Sequence, residues 1–232
     1  MERLEGTLSG IEFLRSLPAD AVEDLAKRCQ WHRYGPQQLI VGQEDETRDV
    51  FFIVRGKVRV IVYAASGKEV SFRDLGAGQM FGELSAIDGQ PRSATVVALQ
   101  DALMARMPPA VFLAMLERHP QIARAVMHYL VGLVRALSER VFEFSTLAVK
   151  NRIHAELLRL AREAGASNKG PQRISPAPTH AEIASRISTH REAVTRELNE
   201  LVRAGLLERC SGGLIIRDIA RLARMVEDVA DL

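Results

Sequence analysis

Residues 81–96 read FGELSAIDGQPRSATV, and this stretch, set between two predicted strands, carries the densest group of chemically specific residues in the chain. Gly82 allows the backbone to approach a ligand closely. The short segment after it can present the backbone N–H groups of Leu84 and Ser85 to an anion. Arg92 adds a guanidinium fork suited to phosphate. The stretch therefore predicts a small anion-binding site.

Two more residues of this stretch narrow the chemical class of the ligand. Ser93 follows the arginine, and its hydroxyl can donate to the same phosphate oxygens. Glu83 would repel a phosphate unless it bonds another part of the ligand, and a ribose 2′-hydroxyl is the natural partner for such a carboxylate. The set indicates a nucleotide with few phosphate charges. The alternative is that Glu83 and Arg92 only pair with each other across a loop.

The flanking sequence predicts the fold around this site. Between residues 39 and 107, short β-branched and apolar runs are punctuated by glycines, and Val58, Val60 and Val62 alternate. This pattern is typical of an antiparallel barrel or sandwich. Residues 11–30 show helical periodicity and predict a helical lead-in.

A long helix is predicted after the strands. Pro108-Pro109 opens a first helix, and His119-Pro120 opens a second that runs to about Phe144, followed by a hinge at residues 144–148. Along this helix, apolar residues recur at spacings of three or four and form one stripe: Val126, Tyr129, Leu133, Leu137, Val141 and Phe144. This stripe could pack on the barrel of its own chain, but the length of the helix favours pairing with a second copy.

The last third of the chain predicts a helix-turn-helix with a wing. A helix at 149–164 precedes the loop GASNKGPQRISPAPT, and Thr179 with Glu182 forms a capping box for the next helix. A second helix covers 189–204, a hairpin within 207–218 turns at 211–213, and Asp218 caps a final helix at 219–229. These elements predict a winged helix-turn-helix.

The second helix of this motif presents polar residues away from its packed face. Glu192, Thr195 and Arg196 point outward near its start, with Arg191 at the edge, so that they could enter a DNA major groove. The alternative is an ordinary solvated face in which Glu192 and Arg196 pair at i, i+4.

These motifs resemble the CRP/FNR superfamily of bacterial transcription regulators over nearly the full length. The resemblance implies an α+β chain with a cyclic-nucleotide-binding β-barrel (jelly roll) at 1–118, a dimerisation helix at 119–145 and a winged helix-turn-helix DNA-binding domain at 146–232. The implied function is a cyclic-nucleotide-dependent transcription regulator that acts as a homodimer.

The resemblance also implies roles for the residues of the cassette. Gly82 and Ser93 would contact the cyclic phosphate, Arg92 would neutralise it, and Glu83 would hold the ribose 2′-hydroxyl. The family's long helix carries a Thr-Ser pair that reads adenine, the serine reaching in from the other subunit. Those places fall on Leu137 and Ser138, so the serine matches and the threonine does not. We expect cyclic AMP first and cyclic GMP second.

The resemblance extends to the DNA reader. Recognition helices of this family carry Arg-Glu-x-x-x-Arg, which Arg191, Glu192 and Arg196 match, implying two-fold symmetric DNA with TGTGA-like half-sites. RNA polymerase is a further implied partner. A turn position that is often glycine is Ser188 here, which is tolerable if its backbone stays out of the left-handed region. Expected phosphate contacts are Thr179, His180, Ser188, Thr189 and His190.

Composition and residue inventory bear on other functions. The chain is 47% hydrophobic and 26% charged, with net charge +2 and the basic excess after residue 145. No signal peptide or membrane span is evident, so a cytoplasmic protein is expected. Two distant cysteines cannot form an iron–sulfur site. All six histidines lie outside the predicted strands, which argues against a metal site and a cupin-like metalloenzyme. The same fold with another effector, or a constitutively active form, stays open.

Overall fold

The computed structural model describes residues 6–63, 69–165 and 170–230, with the backbone alone at 227–230. The elements are a 3₁₀ turn (Glu12–Leu14), α1 (Ala19–Lys27), β1 (Gln30–Tyr34), β2 (Leu39–Val41), β3 (Val50–Arg55), β4 (Lys57–Tyr63), β5 (Glu69–Gly76), β6 (Met80–Phe81), α2 (Glu83–Asp88), β7 (Thr95–Ala98), β8 (Ala102–Met107), α3 (Pro109–Arg118), α4 (Pro120–Thr146), α5 (Val149–Glu163), β9 (Gln172–Ile174), α6 (His180–Arg186), α7 (Arg191–Arg203), β10 (Leu207–Cys210), β11 (Gly213–Ile216) and α8 (Ile219–Ala230).

The first eight strands form two antiparallel four-stranded sheets. One sheet has the order β1-β8-β3-β6 and the other β2-β7-β4-β5. This is the arrangement of an eight-stranded jelly roll. The predicted fold class is confirmed. Helix α2 lies between β6 and β7 in the chain and contacts strand β3.

The strands follow from the hydrophobic pattern. Strand β3, VFFIVR, is buried along its first four residues, and β4 buries Val58 and Ile61. These two residues are three apart because the register between β4 and β5 shifts between Val60 and Ile61. Phe51 and Phe81 stack with ring centroids 4.9 Å apart. Burial of these apolar side chains supplies the main stabilisation of the sheets, at about 25 cal/mol per Å² of apolar surface removed from water.

Strand β1 was not predicted from the sequence. Its residues, QWHRY, lack the β-branched pattern, yet they pair with β8 in the register Gln30↔Arg106 to Tyr34↔Ala102. His32 therefore lies in a barrel strand, and the expectation that every histidine falls outside the strands is wrong. The ladder to β8 decides the conformation where local propensity does not.

Some apolar residues of the long helix α4 are buried against the jelly roll, and others are exposed. Val126 is buried and Tyr129 is partly buried against the core of the jelly roll. Met127, Val131, Val134, Leu137 and Val141 are each about half exposed or more. The start of the predicted stripe thus packs on its own domain, whereas Leu137 and Val141 of the same stripe are exposed, together with Met127, Val131 and Val134.

The end of α4 differs from the expected hinge. The helix continues to Thr146, and only residues 147–148 are outside helices before α5. The Ser145 and Thr146 hydroxyls donate to the carbonyls of Val141 and Phe142, each at 2.8 Å, which satisfies these side chains within the helix. The helix thus extends two residues beyond its predicted end at about Phe144, and the segment between α4 and α5 is shorter than the predicted hinge.

The C-terminal part has its own core and a three-stranded sheet. Its apolar residues from α5, α6, α7 and α8 form one cluster. The predicted hairpin is confirmed as β10 and β11, turning at residues 211–212, and β9 adds a third strand in the order β10-β11-β9. The third strand was predicted as loop, because Gln172–Ile174 is short and follows a Gly-Pro pair.

The chain separates into two compact units, Met1–Leu133 and Val134–Leu232. This division falls inside α4, so the later part of the helix belongs with the helices and strands of the C-terminal part. The three-segment division at residues 118 and 145 stays a prediction. Among the described helices, none combines the length and the apolar character needed to span a membrane.

Candidate functional site

Arg92 lies at the centre of the predicted ligand cassette and is buried, with 3% of its surface exposed. Its Nε donates to Thr47 Oγ1 at 3.1 Å, Nη1 to the Gly82 carbonyl at 3.2 Å, and Nη2 to the Asp49 carbonyl at 2.8 Å. The guanidinium also lies 5.7 Å from the centre of the Phe51 ring. Its position is thus set by neutral oxygens and one aromatic face.

Among the residues that the structure describes, no carboxylate lies within ion-pair distance of the Arg92 guanidinium. Burial lowers the pKa of this arginine, although the carboxylates of Asp49, Asp45 and Glu83 oppose the effect. A guanidinium has five N–H donors, and the three bonds above use three of them. Because a buried charge is stabilised strongly by an opposite charge, the arrangement favours an anion bound at the remaining donors.

Gly82 is required by the backbone and by Arg92 together. Its φ is +86°, in the left-handed region. A Cβ there would lie 2.6 Å from Arg92 Nη1 and 2.7 Å from the Asp49 carbonyl oxygen. Only glycine meets both conditions without strain. The carbonyl of Gly82 holds Arg92 while its missing side chain leaves the guanidinium room.

Glu83 is buried beside this arginine but does not pair with it. It has 3% exposure, and across the described residues no ion pair within 4.0 Å joins it to Arg92. Burial raises the pKa of the Glu83 carboxyl, while Arg73 and Arg92 lower it in part. The alternative that Arg92 and Glu83 only neutralise each other is therefore not the arrangement in the structure.

The other cassette residues divide into a buried and an exposed group. Ser85 is buried and its hydroxyl donates to the Pro91 carbonyl at 3.3 Å, which fastens α2 to the turn before Arg92. Leu84 and Ser93 are exposed. Ser93 keeps its predicted place next to Arg92, with its side chain toward solvent.

The helix-turn-helix begins with the predicted capping box. The Glu182 N–H donates to Thr179 Oγ1 at 3.2 Å, and Glu182 Oε2 accepts from the Thr179 N–H at 2.7 Å. His180 Nδ1 lies 2.7 Å from Thr195 Oγ1, and that hydroxyl also donates to the Arg191 carbonyl at 2.9 Å. Thr195 thus ties α7 to α6, and its donor is already used.

The outer face of α7 carries the predicted recognition residues. Arg191, Glu192 and Arg196 are exposed. No ion pair within 4.0 Å joins Glu192 to Arg196 in the part of the chain that the structure describes. The solvated i, i+4 pair is not formed, and the three side chains are available to another molecule.

The turn between α6 and α7 is more strained than expected. Ser188 has φ +53°, in the left-handed region. The Ser188 backbone thus does not stay out of the left-handed region, as an unstrained serine would. This conformation costs about 1 kcal/mol of backbone strain. Thr189 lies in the turn and His190 precedes α7, which begins at Arg191 and not at Thr189.

Comparisons with known proteins agree with this arrangement. A family model for a cyclic nucleotide-binding domain matches residues 31–119, and a model for a Crp-like helix-turn-helix domain matches residues 151–225. The chain belongs to the CRP/FNR superfamily. Members of this superfamily are transcription regulators and not enzymes.

Individual relatives of this CRP/FNR regulator cover nearly its whole length. The CRP-like cAMP-activated global transcriptional regulator of Mycobacterium tuberculosis is 26% identical over 222 residues, covering 95% of this chain and 99% of that protein. The cyclic AMP receptor protein of Thermus thermophilus is 29% identical over 228 residues, covering 96% and 100%. A CooA mutant from Carboxydothermus hydrogenoformans has TM-score 0.79 at 21% identity, covering 97% and 98%, and shows the shared fold.

Some residues around the sites were not predicted. In the regulator's first unit, Arg73 Nη2 donates to the Tyr129 hydroxyl at 2.5 Å and lies over its ring, so that the start of α4 is tied to β5. In the second unit, His154 is fully buried and contacts Glu197 at 2.6 Å between Nε2 and Oε1. These partners are far apart in sequence, and no local pattern indicates them.

Proposed function

We propose that the protein is a cyclic-nucleotide-dependent transcription regulator that binds specific DNA as a homodimer. Nucleotide binding in the jelly roll and along α4 re-orients the helix-turn-helix. A constitutive DNA-binding protein, or one that responds to another effector, is the alternative within the same family.

The observation that carries this proposal is the environment of Arg92. Its guanidinium is buried, is held by the Gly82 and Asp49 carbonyls and the Thr47 hydroxyl, and has no contact carboxylate among the described residues. A cyclic phosphate brings one negative charge and exocyclic oxygens, which match the remaining donors. Glu83 then holds the ribose 2′-hydroxyl, and Gly82 and Ser93 contact the phosphate.

Cyclic AMP is the first candidate effector. The relatives from Mycobacterium tuberculosis and Thermus thermophilus carry cyclic AMP in their names. Ser138 retains the hydroxyl expected at the adenine contact, whereas Leu137 has none, which removes one hydrogen-bonding group without affecting the phosphate cradle. Cyclic GMP is the second candidate for that reason.

A second copy of this chain is the proposed partner of α4. The exposed stripe of the helix includes Met127, Val131, Val134 and Val141, with side chains 51–65% exposed. Residues spaced by three and four along a helix form one seam, which pairs with an identical seam in a two-fold dimer. The dimer brings Ser138 of each copy toward the nucleotide of the other.

Two recognition helices in such a dimer read a two-fold symmetric DNA site. Arg191 and Arg196 suit guanine O6 and N7, and Glu192 accepts from cytosine N4, giving TGTGA-like half-sites about one helical turn apart. The proposed phosphate contacts are Thr179, His180, Ser188, Thr189 and His190. Thr195 contributes to DNA binding by holding α7 in place, and its side chain lies near the bases.

RNA polymerase remains a proposed partner on the family resemblance. The surface proposed for that contact is the connection at residues 165–179, of which 166–169 lie outside the described residues. The working division of the chain stays 1–118 for the nucleotide domain, 119–145 for the dimer helix and 146–232 for the DNA-binding domain.

Isothermal titration of cyclic AMP and cyclic GMP into the full chain tests the proposal. The wild type should bind cyclic AMP more tightly than cyclic GMP, and Arg92→Leu should weaken binding by about 2 to 5 kcal/mol, because the phosphate loses a desolvated charge. Arg33→Leu, the same change at an exposed arginine of β1, should bind like the wild type. Equal affinities for the wild type and Arg92→Leu would refute the assignment.

A further inference from the structure

A group of charged side chains joins the end of α4 to α5 and α6 within the second unit. It contains three arginines and two glutamates from three helices. Glu143 and Arg140 come from α4, Glu156 and Arg159 from α5, and Arg186 from the last position of α6. Neither the cassette nor the recognition helix includes any of these residues.

The contacts form a continuous path. Arg159 Nη2 donates to both carboxylate oxygens of Glu143, at 2.8 and 3.0 Å, and Arg159 Nη1 pairs with Glu156. The other Glu156 oxygen accepts from Arg186 Nη1 at 3.2 Å. The path thus crosses from α4 to α5 and from α5 to α6.

A second contact connects α4 to α6 directly. Arg140 Nη2 donates to the backbone carbonyl of Arg186. This carbonyl lies at the C-terminus of α6, where a cation is favoured by the helix dipole. The next residues form the turn into the recognition helix, with the Ile187 N–H bonded to Ile183 and the Thr189 N–H to Ala184.

The group is buried enough to act as a fixed joint. Glu156 is fully buried, and Glu143 and Arg186 are 9% and 4% exposed. Burial, the largest single influence, lowers the pKa of Arg159, but the Glu156 and Glu143 carboxylates outweigh it and the pKa is raised. Ion pairs between largely buried side chains have a more defined geometry than exposed pairs, whose side chains move freely.

The position of Arg140 on α4 links this joint to the proposed ligand contact. Residues advance by about 100° around a helix, so Arg140 lies on nearly the opposite side of α4 from Ser138. A rotation or shift of this part of α4 therefore moves both side chains together.

We propose that this group is the mechanical link through which motion of α4 reaches the turn before the recognition helix, with Arg140 as its positioning residue. Its regulatory meaning rests on the proposed function, but the link between α4 and the α6 C-terminus does not. The two residues between α4 and α5 then do not act as a free hinge, because Arg159 and Arg140 bridge them.

Hydrogen exchange of the full chain, without nucleotide, tests the link. Arg140→Met keeps an unbranched side chain and removes the donors, and the Ile187 and Thr189 amides should exchange at least about fivefold faster than in the wild type. Arg135→Met, at an exposed arginine of the same helix, is the matched control and should change neither amide. Glu143→Gln, which keeps the shape of the side chain, should act in the same direction as Arg140→Met. Unchanged exchange in both cluster variants would overturn the link.

Specific DNA binding with and without cyclic AMP completes the test. Arg140→Met should bind the nucleotide with wild-type affinity but lose most of the stimulation of DNA binding, which is typically about 5- to 150-fold in allosteric systems. Full stimulation together with faster exchange would overturn transmission through this group. Faster exchange with no stimulation even in the wild type would support the link and refute the proposed function instead.

Discussion

The two binding regions of this regulator use arginine in opposite environments. Arg92 in the sensor is almost completely buried and is held by neutral oxygens. Arg191 and Arg196 on α7 are exposed, and the described contacts give their side chains no carboxylate within ion-pair distance. Both regions thus have positive charge available for an anion, but only the charge of Arg92 is shielded from water.

This difference matches the two anions. A small ligand with a single negative charge gains enough only where water is excluded, since charge interactions strengthen as the local dielectric constant falls. DNA presents phosphates along its whole length, and exposed cations bind it by releasing counterions, with strong salt dependence. The buried Arg92 therefore suits the binding of a small regulatory ligand, and the exposed Arg191 and Arg196 suit contact with DNA.

Gly82→Ala should have the largest effect of these substitutions, and it should act on the site around Arg92. The added Cβ meets Arg92 Nη1 and the Asp49 carbonyl at 2.6–2.7 Å, and the left-handed backbone is strained as well. We expect the free energy of unfolding to fall by about 2 to 4 kcal/mol, with loss of nucleotide binding. Chemical denaturation and titration calorimetry measure the two effects.

Gly212→Ala is the matched control for this substitution. Gly212 also has a left-handed backbone, with φ +66°, but no atom within 4 Å of an added Cβ. It should lose only about 1 to 2 kcal/mol, the backbone contribution. Equal losses at the two glycines would contradict the close approach of Arg92.

Arg196→Ala should weaken the reader without altering the sensor. A bidentate contact to guanine is worth about 1 to 3 kcal/mol, and this loss should appear on a specific site and be smaller on random DNA. Arg203→Ala, an exposed arginine at the other end of α7, should leave the specificity ratio unchanged. An equal loss of affinity on both DNAs would make Arg196 a phosphate contact.

Glu83→Gln should separate binding from stability. Burial raises the pKa of Glu83, so its charged form is less favourable in the folded chain and the stability it contributes is lost as pH rises through that pKa. At pH 7 the variant should therefore be more stable to urea than the wild type, with the difference shrinking in acid. Nucleotide binding should weaken by about 1 to 2 kcal/mol, because the ribose loses a charged acceptor. Unchanged nucleotide affinity would exclude the ribose role.

Ser188→Gly has the smallest expected effect. Glycine removes the strain of the left-handed backbone at φ +53° but makes the unfolded chain more flexible. The two nearly cancel, and thermal unfolding should show a gain of less than about 1 kcal/mol. A loss of more than that amount would mean that the serine side chain stabilises the turn.

The sequence predicted the features that depend on neighbouring residues. The capping box of Thr179 and Glu182 and the cap at Asp218, which accepts from the Arg221 N–H at 2.8 Å, follow from spacings of three residues. Alternating valines predicted strand β4, and the residue types along α7 predicted that Arg191, Glu192 and Arg196 are exposed. The jelly roll and the winged helix-turn-helix were both predicted correctly.

Features that join distant segments could not be predicted in this way. Thr47 and Asp49 hold Arg92 across 45 and 43 residues, and no local pattern pairs them. Strand β1 depends on its ladder to β8, and the link through Glu156 needs three helices to meet. The part of the predicted stripe at Val126 became core because the jelly roll surface lies beside it.

Fluorescence anisotropy on one labelled, two-fold symmetric DNA with TGTGA half-sites tests the central claim most directly, comparing wild type and Arg92→Leu with cyclic AMP, with cyclic GMP and without nucleotide. We expect cyclic AMP to tighten wild-type binding by about 5- to 150-fold, cyclic GMP to do so less, and neither to affect Arg92→Leu. Identical wild-type affinity under all three conditions would contradict the account.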